Sequence, residues 1–500
     1  MKRFIKPILL LQWILLFSAC SSAQVTNDKT QKAKKFEQLF KYSSENNIFN
    51  GSILIIENDK VLYKKSFGDN GEKARTPITS NSQFLLASLS KQFTAIGIMI
   101  LQEQGKLNYD DKVLIHLPNF PYEELTIRQL LNQTSGIPEY QQLLNRKFSD
   151  FKKAFDEKGE VIDNTFVYEL YKKYKPELGF MPNKKFDYSN TNYVFLALVI
   201  EAVSNTSFTK FMEQYVFNPL EMEHTFVYSK ENEIKFSNRT YGYKQTTNEK
   251  NRESNDRYPF INIVGDGGIY STLNDLEKWV SALHENTLLS KANLDKAFTV
   301  PKLSNGESGP YGFGWFVRKL PFNGNKALTH SGEFVGFSNA FFSDMKDRSS
   351  IIMLSNNSSE YRPQLNSAMV RILYNMPYEL PKINIAEVIG KVLLEKDIES
   401  AINKYNKLKS EDSDSYDFSE KHLNRLGYDL LELKQVSDAI EIFKLNVLNY
   451  PESSNVYDSL GEAYLLANQK EKALKNYQKA LSLNSENENA AKTIKKLKER

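Results

Sequence analysis

Phe84-Leu85-Leu86-Ala87-Ser88-Leu89-Ser90-Lys91-Gln92-Phe93-Thr94-Ala95 is an apolar approach that runs into the opening turn of a helix. Behind it, Ile96, Ile98, Met99, Ile100 and Leu101 leave almost no polar face, as in a helix threading a core. Gln104 followed by Gly105 marks its end, which predicts a helix from Ser88 to Gln104. A hydroxyl at the start of such a helix sits at the positive end of the macrodipole, and a residue three positions on shares its face. Ser88 and Lys91 have this relation. A serine needs a base to become a nucleophile, and an amine serves as one only where its charged form is disfavoured, as it is among buried apolar side chains.

The S-x-x-K spacing recurs at Ser149 to Lys152, Ser207 to Lys210 and Ser343 to Lys346, none of which has a long apolar helix behind it. On its own the pattern also fits a helix N-cap at Ser88 and a first-turn cation at Lys91. The rest of the chain has to choose between these readings.

The chain has 500 residues, 41% hydrophobic and 25% charged, a composition that predicts two folded regions after any leader. Lys2, Arg3 and Lys6 precede an apolar run from Ile8 to Ala19, which as a helix would be too short to cross a bilayer and reads as a secretory signal peptide over residues 1–23. Phe17-Ser18-Ala19-Cys20 resembles the lipobox of bacterial lipoproteins, with Phe17 in place of the usual Leu, and Cys20 as the lipidated residue. Ser21 and Ala23 also suit ordinary cleavage after Ala23. Both routes predict export, to the periplasm or to an envelope membrane held by a lipid anchor.

Cys20 is the only cysteine, so no intrachain disulfide can form and a site built on several Cys ligands is excluded. No H-E-x-x-H or comparable motif predicts a metal or cofactor. Three leader cations account for most of the formal net charge of +4, which leaves no argument for nucleic-acid binding.

Residues 24–35 are polar and read as a tether, and Phe36 to Tyr42 as a short amphipathic helix. Gly51 to Ile56 and Val61 to Gly68, joined at Glu57-Asn58-Asp59-Lys60, predict an antiparallel hairpin. Helical patterns cover Leu125 to Leu131, Thr191 to Val203 and Asn274 to Trp279. Strands are predicted at Gly312 to Val317, Phe337 to Phe342 and Ser350 to Leu354.

Two short patterns are chemically suggestive. Tyr188-Ser189-Asn190 is the only Y-x-N in the chain and stands where a loop enters the Thr191 helix. A phenol there can exchange protons, and an amide can hold a substrate amide or carbonyl. His330-Ser331-Gly332 is the only H-x-G and precedes a predicted strand. Each taken alone also fits an ordinary structural role, a capping Asn beside a core Tyr and a turn.

In this order and spacing, the Ser88, Tyr188 and His330 motifs resemble those of the serine β-lactamase and penicillin-binding-protein superfamily, in the branch of class C β-lactamases, DD-peptidases and esterases. The likeness runs from about Phe36 to Tyr378 and includes Leu130 to Pro138, Gly265 to Trp279 and Tyr311 to Trp315. It implies an α+β fold, an antiparallel sheet flanked by helices plus an all-helical domain, over residues 36–380. It implies an acyl-enzyme on Ser88, with Lys91 and Tyr188 as the proton-transfer pair and Asn190 on the substrate amide. His330 would replace the third-motif cation, with Gly332 beside it. The oxyanion hole would be the backbone N–H groups of Ser88 and Glu333. His in place of Lys at 330 would make carboxylate recognition weaker and pH-dependent. Gln133 stands where many relatives carry His. The absence of a G-x-S-x-G elbow argues against an α/β-hydrolase.

From 381 to 500, Leu426-Gly427, Leu430, Ala439 and Phe443 recur as Leu460-Gly461, Tyr464, Ala473 and Tyr477, a 34-residue period that resembles the tetratricopeptide repeat. The clearest units are 420–453 and 454–487, with Ala401 and Tyr405 in a degenerate preceding one. The resulting expectation is an exported serine hydrolase that acts on a small-molecule or peptide acyl substrate, with a repeat module for a protein partner. The competing reading is an envelope scaffold that keeps the hydrolase fold only as a ligand sensor.

Overall fold

The computed structural model describes residues 28–71, 75–144, 162–229, 232, 235–244, 260–334, 336–358 and 360–499. The leader and Cys20 lie outside them, as do Ser149 and Lys152. The chain forms two compact units that divide near Glu379 and Leu380.

The first unit is built on a six-stranded antiparallel sheet. Its strands are β1 (Gly51–Glu57), β2 (Lys60–Phe67), β3 (Phe316–Lys319), β4 (Lys326–Phe334), β5 (Phe337–Asp344) and β6 (Ser349–Ser355), in the order β2-β1-β6-β5-β4-β3. The hairpin β1–β2 therefore docks its first strand on the last, Gly51 facing Ser355 and Ile53 facing Met353. The β1 residues Ile53, Leu54 and Ile55 are fully buried, which fixes this register by the faces they must hide. Gly312 to Val317 is strand only from Phe316, because Gly314, at φ 90°, brings the chain to within 3.0 Å of the Lys91 carbonyl oxygen, measured from where a Cβ would sit. His330 to Phe334, expected to precede a strand, is itself the end of β4.

Residues 28–45 are helical, so the expected tether is helix from residue 28 onward. Phe36, Leu39 and Phe40 are buried, Phe36 stacks on Tyr63, and the buried Lys32 ammonium pairs with Glu57 at 2.5 Å. Polar composition is overridden here by docking onto the hairpin.

The helices of the unit include α1 (Ser90–Glu103), α2 (Ile127–Leu131), α3 (Asn190–Ser204), α4 (Leu273–Glu285) and, near its end, α5 (Arg362–Leu373), whose buried side chains are not part of the core that holds α1. α1 is buried from Ser90 through Leu101 and ends at Gly105, at φ 70°. Its apolar side chains belong to one continuous core with α3 and the Trp279 face of α4, where Phe93 and Trp279 lie 4.2 Å apart. Each such side chain contributes about 1.5–3 kcal/mol on burial, so α1 is among the most tightly held elements of the unit.

The second unit is a run of paired helices. Glu420–Glu432 pairs with Val436–Asn449, and Ser454–Leu466 with Lys470–Leu483. The 34-residue recurrence has a steric cause. A Cβ on Gly427 would sit 2.4 Å from the Phe443 ring, and one on Gly461 would sit 3.1 Å from the Tyr477 ring. Ala401 and Tyr405, on the preceding helix Ile398–Glu411, are fully buried in the same core.

Candidate active site

Ser88 is presented by a short 3-10 turn, Ala87–Leu89, directly ahead of α1, so the helix begins two residues later than the sequence pattern predicts. Ala87 has φ 51°, a left-handed conformation that costs a non-glycine residue about 1–2 kcal/mol. The strain is held from both sides. Phe84–Leu85 pairs with Ile269–Ser271, the Leu86 N–H donates to Ile269 O at 2.8 Å, and the Ile269 N–H donates to Ser90 Oγ at 3.2 Å.

Lys91 is fully buried. Its Nζ donates to Asn190 Oδ1 and to the Asp266 carbonyl oxygen, both at 2.7 Å, and lies 3.1 Å from Ser88 Oγ. Two of these neighbours are carbonyl oxygens that can only accept. The third is a hydroxyl that can both accept and donate, so a proton can pass between Ser88 and Lys91 while the other two contacts of Nζ are kept. Thr94 Oγ1 donates to Gly265 O at 2.7 Å and pins the Asp266 loop to the same helix.

Asn190 is the first residue of α3, and its Nδ2 has no partner among the described residues, which leaves a donor free beside Ser88. The loop ahead of it is organised by Gln133. The fully buried Gln133 side chain accepts from Ser189 N at 3.1 Å and Asn192 Nδ2 at 2.6 Å, while its carbonyl accepts from Asp187 N at 3.0 Å. Glu139 Oε2 accepts from Asn190 N at 2.8 Å. Gln133 thus has a structural role that the sequence reading lacked. The Tyr188 ring lies 5.0 Å from Lys91 Nζ and stacks on Phe316, and its hydroxyl makes no hydrogen bond among the described residues.

His330 does not supply a cation. It is buried on β4, accepts from the Tyr311 hydroxyl at Nε2 (2.9 Å) and donates from Nδ1 to Ser331 O (2.6 Å). Burial, with the Lys91 charge adding to it, pushes its pKa down to about 3. The expected pH-dependent carboxylate contact is therefore corrected to a neutral ring that anchors Tyr311 against Tyr188. Gly332 is a close-packing residue, since a Cβ there would sit 2.1 Å from Leu86 O. This approach brings β4 against the Ser88 turn. The Glu333 carboxylate pairs with Arg362 of α5.

The repeated S-x-x-K patterns separate cleanly. Ser207 caps the helix Phe208–Met212 by accepting from Lys210 N, and Ser343 is buried at 3.0 Å from His284 Nε2.

The Beta-lactamase family model matches residues 33–374, most of the chain. The chain belongs to the Beta-lactamase family. Penicillin-binding protein 4* of Bacillus subtilis is 35% identical over 364 residues, 71% of this chain and 79% of that protein. Protein flp of Staphylococcus aureus is 28% identical, with 68% and 66% covered. A solved octameric penicillin-binding protein homologue from Pyrococcus abyssi superposes with TM-score 0.57 at 26% identity, covering 71% of this chain and 80% of that one. A tetratricopeptide repeat model matches residues 454–487. The protein thus joins a Beta-lactamase-family serine hydrolase fold to a tetratricopeptide repeat.

A pocket of about 270 Å³ opens beside Ser88. Ser88, Asn190, Gly267 and Glu333 line it together with the apolar Phe260, Ile261 and Ile263 and the polar Tyr140 and Asp266. Asp266 is buried and accepts from the Tyr140 hydroxyl at 3.2 Å. Burial raises the pKa of both Asp266 and Glu139, and each attraction to Lys91 only partly offsets it. Neither acid was a site residue in the sequence reading. The available signal was a lone carboxylate inside the Gly265-Asp266-Gly267-Gly268 run, where a charged residue has little reason to be buried.

Proposed function

We propose that the protein is an exported serine hydrolase of the class C and DD-peptidase type, which forms an acyl-enzyme on Ser88. The observation that carries this is the placement of Lys91 Nζ, held by two carbonyl acceptors at 2.7 Å and facing the Ser88 hydroxyl at 3.1 Å.

In this reading Ser88 Oγ attacks the acyl carbonyl as its proton passes to the Lys91 amine. The oxyanion is received by the backbone N–H groups of Ser88 and Glu333, each worth about 3 kcal/mol in the transition state. Asn190 Nδ2 donates to the substrate's amide or carbonyl. The proton returns to the leaving group through Lys91 and Tyr188, whose ring lies 5.0 Å from Lys91 Nζ. Water then repeats the sequence on the ester, the same pair taking its proton, and Ser88 is released.

The names of the relatives support penicillin as a starting ligand. The lipobox ending at Cys20 supports attachment to a bacterial envelope membrane, and the repeat supports a protein partner.

The test is covalent labelling. The chain from residue 24, treated with a fluorophosphonate or with a fluorescent penicillin, gains one adduct by intact mass, and Ser88→Ala gains none. No adduct on the wild type, or an equal adduct on Ser88→Ala, overturns the proposal and leaves the scaffold reading.

A further inference from the structure

A second cavity, of about 400 Å³, lies mainly on the face of β4 that turns away from the Ser88 turn. Side chains alternate along a strand, so His330 and Gly332 point one way, where Gly332 meets Leu86 O, while Thr329, Ser331 and Glu333 point the other. Register carries this second face across the sheet, with Thr329 opposite Phe342 and Phe342 opposite Ile351. On the first face Leu328, Phe341 and Ile352 belong to the core that holds α1, whereas Phe342, Ile351 and Met369 do not. The cavity lies between that other face and α5, with Thr329, Phe342 and Ile351 on the sheet side and Met369 and Val370 on the helix side. None of the described residues lines both this cavity and the pocket beside Ser88.

Two guanidinium groups line the same cavity, Arg318 exposed on β3 and Arg362 at the start of α5. Arg362 already shows what chemistry it takes, because it holds the carboxylate of Glu333. A planar guanidinium fork matches a carboxylate with two parallel bonds. The Glu333 side chain is 59% exposed, and an ion pair with so exposed a partner is weak in water. A ligand carboxylate can therefore displace it at small cost. The apolar walls behind the arginines stabilise a hydrocarbon body in proportion to the area it buries.

From this juxtaposition we infer that the cavity binds an amphiphilic carboxylate, its head on Arg318 and Arg362 and its apolar body between the sheet and α5, and that occupancy slows the reaction at Ser88. The coupling runs through Glu333. Its carboxylate is tied to Arg362, and its backbone N–H is one of the two oxyanion donors of the acyl-enzyme reading. A ligand that takes Arg362 unties the end of β4 that carries this donor, so the N–H is less firmly placed when charge develops on the substrate oxygen. Binding is independent of the acyl-enzyme reading above, and only the coupling rests on it.

The experiment separates the two. The chain from residue 24 is titrated calorimetrically with octanoate, with its neutral counterpart octanamide, and with acetate, which has the head without the body. Octanoate binds about tenfold tighter or more than either, the size expected for hydrogen bonds between charged groups. Arg318→Gln and, separately, Val370→Phe, which fills the cavity from the half-buried face of α5, each weaken octanoate about fivefold or more. Both variants leave the labelling rate of the ligand-free protein unchanged, whereas Arg362→Gln weakens octanoate and slows labelling by itself. In the wild type, octanoate slows fluorophosphonate labelling of Ser88 at low and at saturating fluorophosphonate alike, which distinguishes it from a competitor at Ser88. Equal affinities for octanoate and octanamide, no measurable binding of octanoate, binding that survives both Arg318→Gln and Val370→Phe, or labelling that proceeds unchanged at full occupancy overturns the inference. Octanoate-selective binding that is lost in those variants, with no fluorophosphonate adduct on the wild type, leaves the site standing and sinks the acyl-enzyme reading instead.

Discussion

The Tyr311 hydroxyl donates to His330 Nε2 at 2.9 Å, and this bond defines what the third motif does in this protein. The folded state keeps the imidazole unprotonated down to about pH 3, whereas the unfolded chain takes up a proton near 6.5. Between these values the unfolded state binds more protons. The contribution of His330 is therefore complete above pH 6.5 and is lost on acidification toward 3, at up to about 1.4 kcal/mol per pH unit. Urea unfolding at a series of pH values should show a steeper loss between pH 6 and 4 in the wild type than in His330→Gln. Parallel curves would mean that His330 is not held neutral.

The Lys91 geometry makes a second outcome measurable. Lys91→Met fills the same buried space without a base, and fluorophosphonate labelling of Ser88 should slow by about 10²–10⁴-fold. Thermal unfolding reports separately whether the core is intact. Labelling at the wild-type rate would remove Lys91 from the reaction.

Gln133 carries a prediction about positioning. Truncation in Gln133→Ala leaves the Ser189 N–H and the Asn192 amide without an acceptor, at about 1–3 kcal/mol for each unsatisfied buried donor. Because these groups set the start of α3, kcat should fall even where the chain remains folded. A Gln133→His variant, with a ring nitrogen able to accept one of the two bonds, should recover part of both. Unchanged kcat in folded Gln133→Ala would separate Gln133 from the site.

The sequence carried the proximity of Ser88 and Lys91 because a 3-10 turn leads directly into the helix and three-residue spacing keeps the two side chains together. It also carried the β1–β2 hairpin, the strands from Phe337 and Ser350 and the repeat period, but not the pairing order of the sheet or the strand Lys326–Phe334. What it could not carry was anything set by a partner far along the chain. The extension of the first helix back to residue 28 depends on Glu57 and Tyr63. The neutral state of His330 depends on its burial and then on Lys91, and the buried Asp266 finds its partner in Tyr140. Gly332 entered the reading as a neighbour of His330 at the site, where a glycine allows a close approach. The approach exists, but the atom it meets is Leu86 O.

That contact predicts a large effect from one methyl group. In Gly332→Ala the new Cβ would fall 2.1 Å from a main-chain oxygen that cannot swing aside. Either β4 or the Ser88 turn must move, so stability should drop by about 3 kcal/mol and Ser88 labelling should slow with it. Wild-type labelling and an unchanged melting temperature would show that the turn can yield at no cost.

In the repeat unit, two glycines at equivalent positions should respond differently to the same substitution. The Gly427 Cβ position is overlapped by the Phe443 ring at 2.4 Å, with two further ring atoms inside 3.0 Å. At Gly461 the nearest atoms of Tyr477 are at 3.1 Å. A shift of a few tenths of an ångström accommodates the second but not the first, because Phe443 is fully buried and has nowhere to go. Replacing glycine inside a helix also gains about 0.5–1 kcal/mol in backbone entropy. Gly461→Ala should therefore be close to neutral, while Gly427→Ala should destabilise by about 2 kcal/mol. Circular dichroism melts of the full-length variants, with Ser88 labelling as a separate report on the first unit, distinguish these outcomes. Equal effects at both positions would contradict the packing that explains the 34-residue period.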